Sequence, residues 1–178
     1  MAETTIITPS DVREFYPQLS VNIDDSTYQP TILLAQQNDL EPFLGYYLYA
    51  AFIEDYNGTD FNTQIYQTLY DGGSYVDNGG TRYFRGIRHL LSVYSFIRIM
   101  EVSSTTVTDS GLVTKETEES TPKEDYQIRK SIMIVKDDAV RLERDARDFI
   151  LSNIADYKLY HKRFATDDYK TSYNFYKV

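Results

Sequence analysis

The feature that most constrains this chain is a run of apolar residues in its C-terminal half. Ile128, Ile132, Val135, Ala139, Leu142, Ala146 and Phe149 recur at alternating spacings of four and three. That is the repeat of an α-helix with one continuous apolar seam, and a strand cannot satisfy it, because successive strand residues fall on opposite faces. Thr121-Pro122-Lys123-Glu124 opens the segment as a capping box with proline at the first helical position. A helix from about Pro122 to about Ser152 would span roughly 45 Å, more than the width of a compact domain of this size. Part of the seam is therefore expected to reach partners, with Ile128, Ile132, Val135, Leu142 and Phe149 as the interface. The other face carries Lys136-Asp137-Asp138, Arg141, Glu143-Arg144-Asp145 and Arg147-Asp148, spaced for (i, i+3) and (i, i+4) pairing. It reads as a solvated face or as a source of inter-subunit salt bridges.

A second strong helical pattern runs from Tyr83 to Val102, with Tyr83, Ile87, Leu90, Tyr94 and Ile97 on one stripe. Phe84, Leu91, Phe96 and Ile99 fall off that stripe, so the helix is apolar nearly all round and must be buried on several sides, by its own domain or by neighbouring subunits. Tyr83 and Tyr94 join the expected interface. At its start Arg82, Arg85 and Arg88 stand three apart, neighbours on one helix face. They are candidates for touching DNA phosphates or an acidic partner, with a patch that balances nearby carboxylates as the plainer reading.

Between the two long helices, Thr105-Thr106-Val107-Thr108, the turn Asp109-Ser110-Gly111 and Leu112-Val113-Thr114 predict a short β-hairpin at about 105–115. Two strands alone are marginal in water, so the hairpin must pack on the helices or on another chain, and it is expected to protrude. Upstream, Thr8-Pro9-Ser10-Asp11 is a capped helix start and Pro17 its end. Asp24-Asp25-Ser26 caps another helix, with Pro30 in or near its first turn, and Pro42 interrupts it. Phe43 to Ile53 continues as one helix, Asn57-Gly58 stops it, and a further helix covers Phe61 to Tyr70. Gly72 to Gly80, with four glycines, reads as a flexible exposed loop. After about Asp156 the periodicity breaks into aromatics among polar residues. The expectation is a mainly α protein: a helical bundle over 1–156 with two long helices and a hairpin between them, then an extended Tyr-rich C-terminal arm over 157–178. Such a tail is either disordered or an arm that orders on docking; the arm is the expectation, with Tyr169, Tyr173, Phe175 and Tyr176 entering pockets on another chain.

Composition narrows the function. A net charge of −9 disfavours broad phosphate binding, although such a surface suits DNA that slides past without sticking. The 17 Tyr and 9 Phe, with no Trp, favour protein interfaces, where a ring buries area and a hydroxyl tolerates water. With no cysteine, thiolate nucleophiles and Cys-based zinc sites are excluded. The most apolar stretch, Ile87 to Met100, carries Arg88, His89 and Arg98 and is too short to span a bilayer. Met1 to Thr8 has neither the basic start nor the apolar run of a secretory signal. His89 and His161 lack a glutamate three residues earlier, adjacent aspartates such as Asp137-Asp138 point apart, and no phosphate-cradling glycine motif occurs. No catalytic, cofactor or metal residue can be named, so an enzyme is not expected.

The order of parts resembles a known family. It runs through Ile7-Thr8-Pro9-Ser10-Asp11-Val12, then Leu34-Ala35-Gln36-Gln37-Asn38-Asp39-Leu40, Pro42-Phe43-Leu44-Gly45 with Leu48-Tyr49, the core helix, the Val107 to Lys115 hairpin and the Pro122 helix. This is similar to the helical head-to-tail connector, or adaptor, proteins of tailed bacteriophages, especially the crAss-like phages, over about Ile6 to Ile150. The resemblance implies a structural virion protein at the head–tail junction, made in the host bacterial cytoplasm. It implies a closed ring, typically of twelve copies, seated beneath the portal protein and extending the DNA channel toward the tail, without sequence-specific DNA binding. Loops and tails would engage the portal above or the next ring below, which would make Arg82, Arg85 and Arg88 portal or DNA contacts. The rival reading is a small cellular helical-bundle adaptor that binds one partner through the aromatic tail.

Overall fold

A computed structural model of the chain describes residues 5–17, 25–77, 79–103, 105–108, 111–114 and 125–160, with the side chains of 103, 105–108, 111–114 and 125–129 outside it. The architecture is mainly helical, with antiparallel hairpins inserted between helices.

At the centre lies α6 (Ile87–Ser103), where Ile87, Leu90, Leu91, Val93, Tyr94, Phe96, Ile97 and Ile99 are all buried. Apolar residues wrap most of its circumference, so it must be buried on several sides, and α1 (Pro9–Phe15), α2 (Asp25–Ala35), α5 (Gln64–Asp71) and α7 (Asp125–Ser152) pack around it. Ser92 and Ser95 are buried too, and the Ser92 hydroxyl donates back to Arg88 O at 2.8 Å, which keeps its polar atom satisfied inside the helix.

The predicted start of α1 is present: Thr8 N donates to Asp11 Oδ2 at 2.6 Å, and Asp11 N returns a longer contact of 3.4 Å to Thr8 Oγ1. Pro30 sits at the sixth position of α2, just past its first turn, so that helix lacks one backbone donor there. Instead of stopping before Pro42, the helical path continues through a π turn, Gln36–Leu40, into α3 (Glu41–Leu44). Gln36 is buried in that turn; its Oε1 accepts from Ile6 N at 2.9 Å and its Nε2 donates to Tyr49 OH at 3.2 Å. Tyr70 OH donates to Ile6 O at 3.0 Å, so both backbone groups of Ile6 are tied down. The expected single helix from Phe43 is split at Gly45 (φ 77°), and α4 runs Tyr46–Asp55. Phe61 is drawn into a bridge with Tyr56 and stacks on Phe52, so α5 begins at Gln64, three residues later than the periodicity implied.

The largest departure lies at Gly72 to Gly80. The expected loop is instead a hairpin of β1 (Gly73–Asp77) and β2 (Gly80–Phe84), with Asp77 paired to Gly80 and Gly73 to Phe84. Its glycines stand at the ends of the strands. Gly72 and Gly86, both at positive φ, lie back to back at its base: a Cβ on Gly72 would fall 2.2 Å from Phe84 O, and one on Gly86 would fall 2.2 Å from Tyr70 O. Residues at such a crossing can carry no side chain. The hairpin takes Tyr83 and Phe84 as strand residues, which is why α6 starts at Ile87 and not at Tyr83.

The second hairpin matches the expectation, β3 (Thr105–Thr108) against β4 (Gly111–Thr114), with Thr105 paired to Thr114 and Thr108 to Gly111. The seam of α7 lies along α6 and the inner face of β1–β2, where Phe149 meets Phe84 at 4.8 Å and Tyr75 at 5.8 Å between ring centroids. Beyond α7 the chain stays packed as far as Tyr160: Tyr157 and Tyr160 are buried, and Tyr157 OH donates to Ile65 O at 3.0 Å. The body thus reaches a few residues past the expected domain boundary at 156. No described helix is long and apolar enough to cross a membrane.

Candidate interaction surfaces

The seam residues expected to form an interface are used inside the chain. Ile132, Leu142, Phe149 and Tyr94 are buried in the chain's own core, and Val135 packs partly against it. Periodicity shows that a helix has one apolar face but not what covers it, and here α6 and the unforeseen hairpin cover it. Ile128 lies in α7, its side chain outside the described residues, as do the Thr121–Glu124 capping box and the arm residues Tyr169, Tyr173, Phe175 and Tyr176. Among the described side chains of the expected interface, only Tyr83 is exposed, at 66%.

The three arginines do not share a helix face. Arg82 lies in β2, Arg85 in the turn after it and Arg88 in the first turn of α6, because the backbone reverses at Gly86 (φ 88°). Arg82 Nε meets Asp77 Oδ2 at 3.0 Å, and its Nη1 approaches Asp148 of α7 at 3.8 Å. Arg88 clamps α1 to α6: its Nε and Nη2 donate to Asp11 Oδ1 at 2.9 and 2.7 Å, and Nη2 also meets Glu14. Asp11 thereby serves the cap of α1 and the clamp at once. Arg98 makes a two-point contact with Asp39 of the π turn, at 2.5 and 2.9 Å. Two of the three expected phosphate contacts are thus engaged within the fold, and Arg85 makes no ion pair with any described residue.

Arg85 borders a pocket of about 250 Å³ between α1, α6 and α7, lined also by Tyr16, His89, Asp138, Arg141, Leu142 and Asp145. Stacking fixes its aromatic walls. Tyr16 lies on Phe96 with ring centroids 4.2 Å apart and an interplanar angle of 3°, and His89 lies on Phe15 at 4.2 Å and 11°. Burial, reinforced by the Arg85 charge, pushes the His89 imidazole down to about 4, so it is neutral at physiological pH. Its Nδ1 is buried without a hydrogen-bond partner. Burial, with the Asp138 charge behind it, raises the Tyr16 hydroxyl to about 12 and keeps it protonated. Asp138 and Arg141 lie 3.7 Å apart, yet both are more than half exposed, and such a pair contributes little. Asp145, like Arg85, has no ion pair with a described residue. The pocket lining thus combines two stacked rings with four charged side chains, of which Arg85 and Asp145 make no ion pair with a described residue.

A polar contact that sequence reading missed lies inside the body. Glu143 is 8% and Arg147 7% exposed on the α6-facing side of α7, and Tyr94 OH donates to Glu143 Oε1 at 2.6 Å. Burial raises the Glu143 carboxyl, opposed by the Tyr94 hydrogen bond and the Arg147 charge. The available signal was their spacing: Glu143 and Arg147 each follow a seam residue by one, so they flank the buried stripe. Among the described residues no group of three or more His, Asp and Glu side chains is placed to hold a metal.

Large apolar side chains also remain in water. Tyr46 and Tyr47 begin α4 at 67% and 59% exposure, and Val76 and Tyr83 stand on the outer face of β1–β2 at 67% and 66%. Val102, at the end of α6, is 60% exposed, with Met133 and Ile134 of α7 at 66% and 57%. Lys136 bonds Glu101 at 2.9 Å, which brings that stretch of α7 beside the end of α6, next to where β3 begins.

Residues 40–169 match the model of a family of unknown function (DUF6712). No curated protein and no solved structure matches the chain.

Proposed function

The chain belongs to the family of unknown function DUF6712, and from its exposed apolar surface and the order of its motifs we propose that it is a structural subunit of a phage virion, a head-to-tail connector that assembles as a closed ring beneath the portal. The observation that carries the reading is the set of large apolar side chains more than half exposed on a well-packed body: Tyr46, Tyr47, Val76, Tyr83, Val102, Met133 and Ile134. They occupy several faces, as a heterologous ring contact requires, since each copy must present one surface to the neighbour ahead and a different one to the neighbour behind. The resemblance of the ordered motifs from Ile7 to Ile150 supplies the particular assembly. The acidic balance of −9 suits a channel wall past which DNA slides.

Native mass measurement of the purified protein, alone and mixed with the portal protein encoded in the same genome, tests the proposal. A defined ring, alone or on the portal, is the expected result. Nothing larger than a monomer or simple dimer in both preparations overturns it, and a single complex of one copy with a cellular protein favours the adaptor.

A further inference from the structure

The pocket beside His89 has an opening whose chemistry is matched within this same sequence. We propose that it receives the segment Asp168-Tyr169-Lys170 of a second copy, with the Tyr169 ring between Tyr16 and His89, Asp168 on Arg85 and Lys170 on Asp145. This deepens the ring reading and rests on it, by naming the contact that joins one subunit to the next.

Three observations carry the assignment. Two lining rings, Tyr16 and His89, are each stacked on a partner and Leu142 adds an apolar surface, so beside the charged Arg85, Asp138, Arg141 and Asp145 the pocket offers contacts for a planar side chain. Arg85 and Asp145 border it with no ion pair to any described residue, so an occupant that carries an anion and a cation on either side of a ring satisfies both. Residues 161–178 supply that pattern at Asp167-Asp168-Tyr169-Lys170. That stretch holds Lys162, Arg163, Lys170 and Lys177 against Asp167 and Asp168, a surplus of two positive charges, whereas the whole chain stands at −9 and the remainder therefore at −11. A cationic segment is attracted to an acidic body. The eight residues from Asn153 to Tyr160 pack back onto the body, and the nine positions from Tyr160 to Tyr169 can span at most about 30 Å, enough for Tyr169 to leave the body that carries it.

The test is a charge swap in the full-length protein. Asp145→Lys and Lys170→Asp, each alone, are expected to weaken self-association about tenfold by native mass and light scattering, and the two together to restore it. Tyr169→Ala is expected to weaken it without rescue. The thermal melt of each variant checks that the fold is intact. A wild-type ring whose stability none of these changes alters overturns the assignment and leaves the ring standing. A His89 ring signal that shifts on Tyr169→Ala at concentrations where the protein is monomeric places the segment in its own copy and likewise overturns it. Absence of any wild-type assembly, with or without portal, removes the ring reading itself.

Discussion

His89 and Glu143 pull stability in opposite directions with pH. A histidine depressed to about 4 is neutral in the fold while the unfolded chain protonates near 6.5, so its contribution is full above 6.5 and is lost as the pH falls toward 4. His89→Phe keeps the stack on Phe15, and the urea midpoint of that variant should vary less than wild type between pH 6.5 and 4. Glu143 has the reverse sign: its raised carboxyl contributes stability below the ordinary range, and that contribution is lost as the pH rises through the folded value. Glu143→Gln retains the oxygen that accepts from Tyr94, so it should match or exceed wild-type stability at pH 7, as read by denaturant unfolding. Gly86→Ala makes the sharpest demand at this scale. A methyl at φ 88°, 2.2 Å from Tyr70 O, should cost about 1–3 kcal/mol or prevent folding, whereas Gly79→Ala, with nothing within 4 Å, should cost less.

At the scale of elements, β1–β2 separates packing from docking on the two faces of one ribbon. Tyr75 and Phe84 face α7 and are 5% and 0% exposed, while Val76 and Tyr83 face water. Phe84→Ala should cost roughly 3–5 kcal/mol in denaturant unfolding. Val76→Thr with Tyr83→Ser should leave the unfolding free energy within about 0.5 kcal/mol of wild type and, under the ring proposal, reduce assembly. This hairpin also marks where sequence reading stopped. The α7 helix was legible because its four–three repeat persists through seven positions, and the Thr8 cap because its chemistry is local. The hairpin was obscured by its glycines, although Asn78-Gly79 between the short runs Tyr75-Val76 and Tyr83-Phe84 is the dipeptide that favours a two-residue turn. Missing it extended α6 back to Tyr83, and that error alone put Arg82, Arg85 and Arg88 on one face. The pocket was not legible, since Tyr16, His89 and Asp145 come together only through the packing of α1 and α7 on α6.

For the whole molecule, the distribution of charge and apolar surface decides behaviour in solution. The long-range ion pairs Arg88–Asp11, Arg98–Asp39 and Lys136–Glu101 tie α6 to α1, to the π turn and to α7, and all are partly exposed. Each contributes modestly, and salt screens the net repulsion of an acidic body as well as these pairs. As salt is raised from about 0.05 to 0.5 M, contacts through apolar faces between copies of net charge −9 should strengthen while the charge pairs proposed at Arg85 and Asp145 weaken. Sedimentation at a fixed protein concentration separates the two: assembly that weakens over this range is held chiefly by those pairs, and assembly that strengthens is held chiefly by Tyr46, Val102 and Met133.

Gly72 and Gly86, locked together without room for a methyl, fasten the root of the first hairpin, while its far end is open around Gly79. Extra sequence therefore has opposite consequences at the two places. A short peptide tag spliced after Gly79 would ride on a rigid stem anchored to the middle of the protein, and averaged particle images could use it as a fiducial for counting copies and reading the orientation of each.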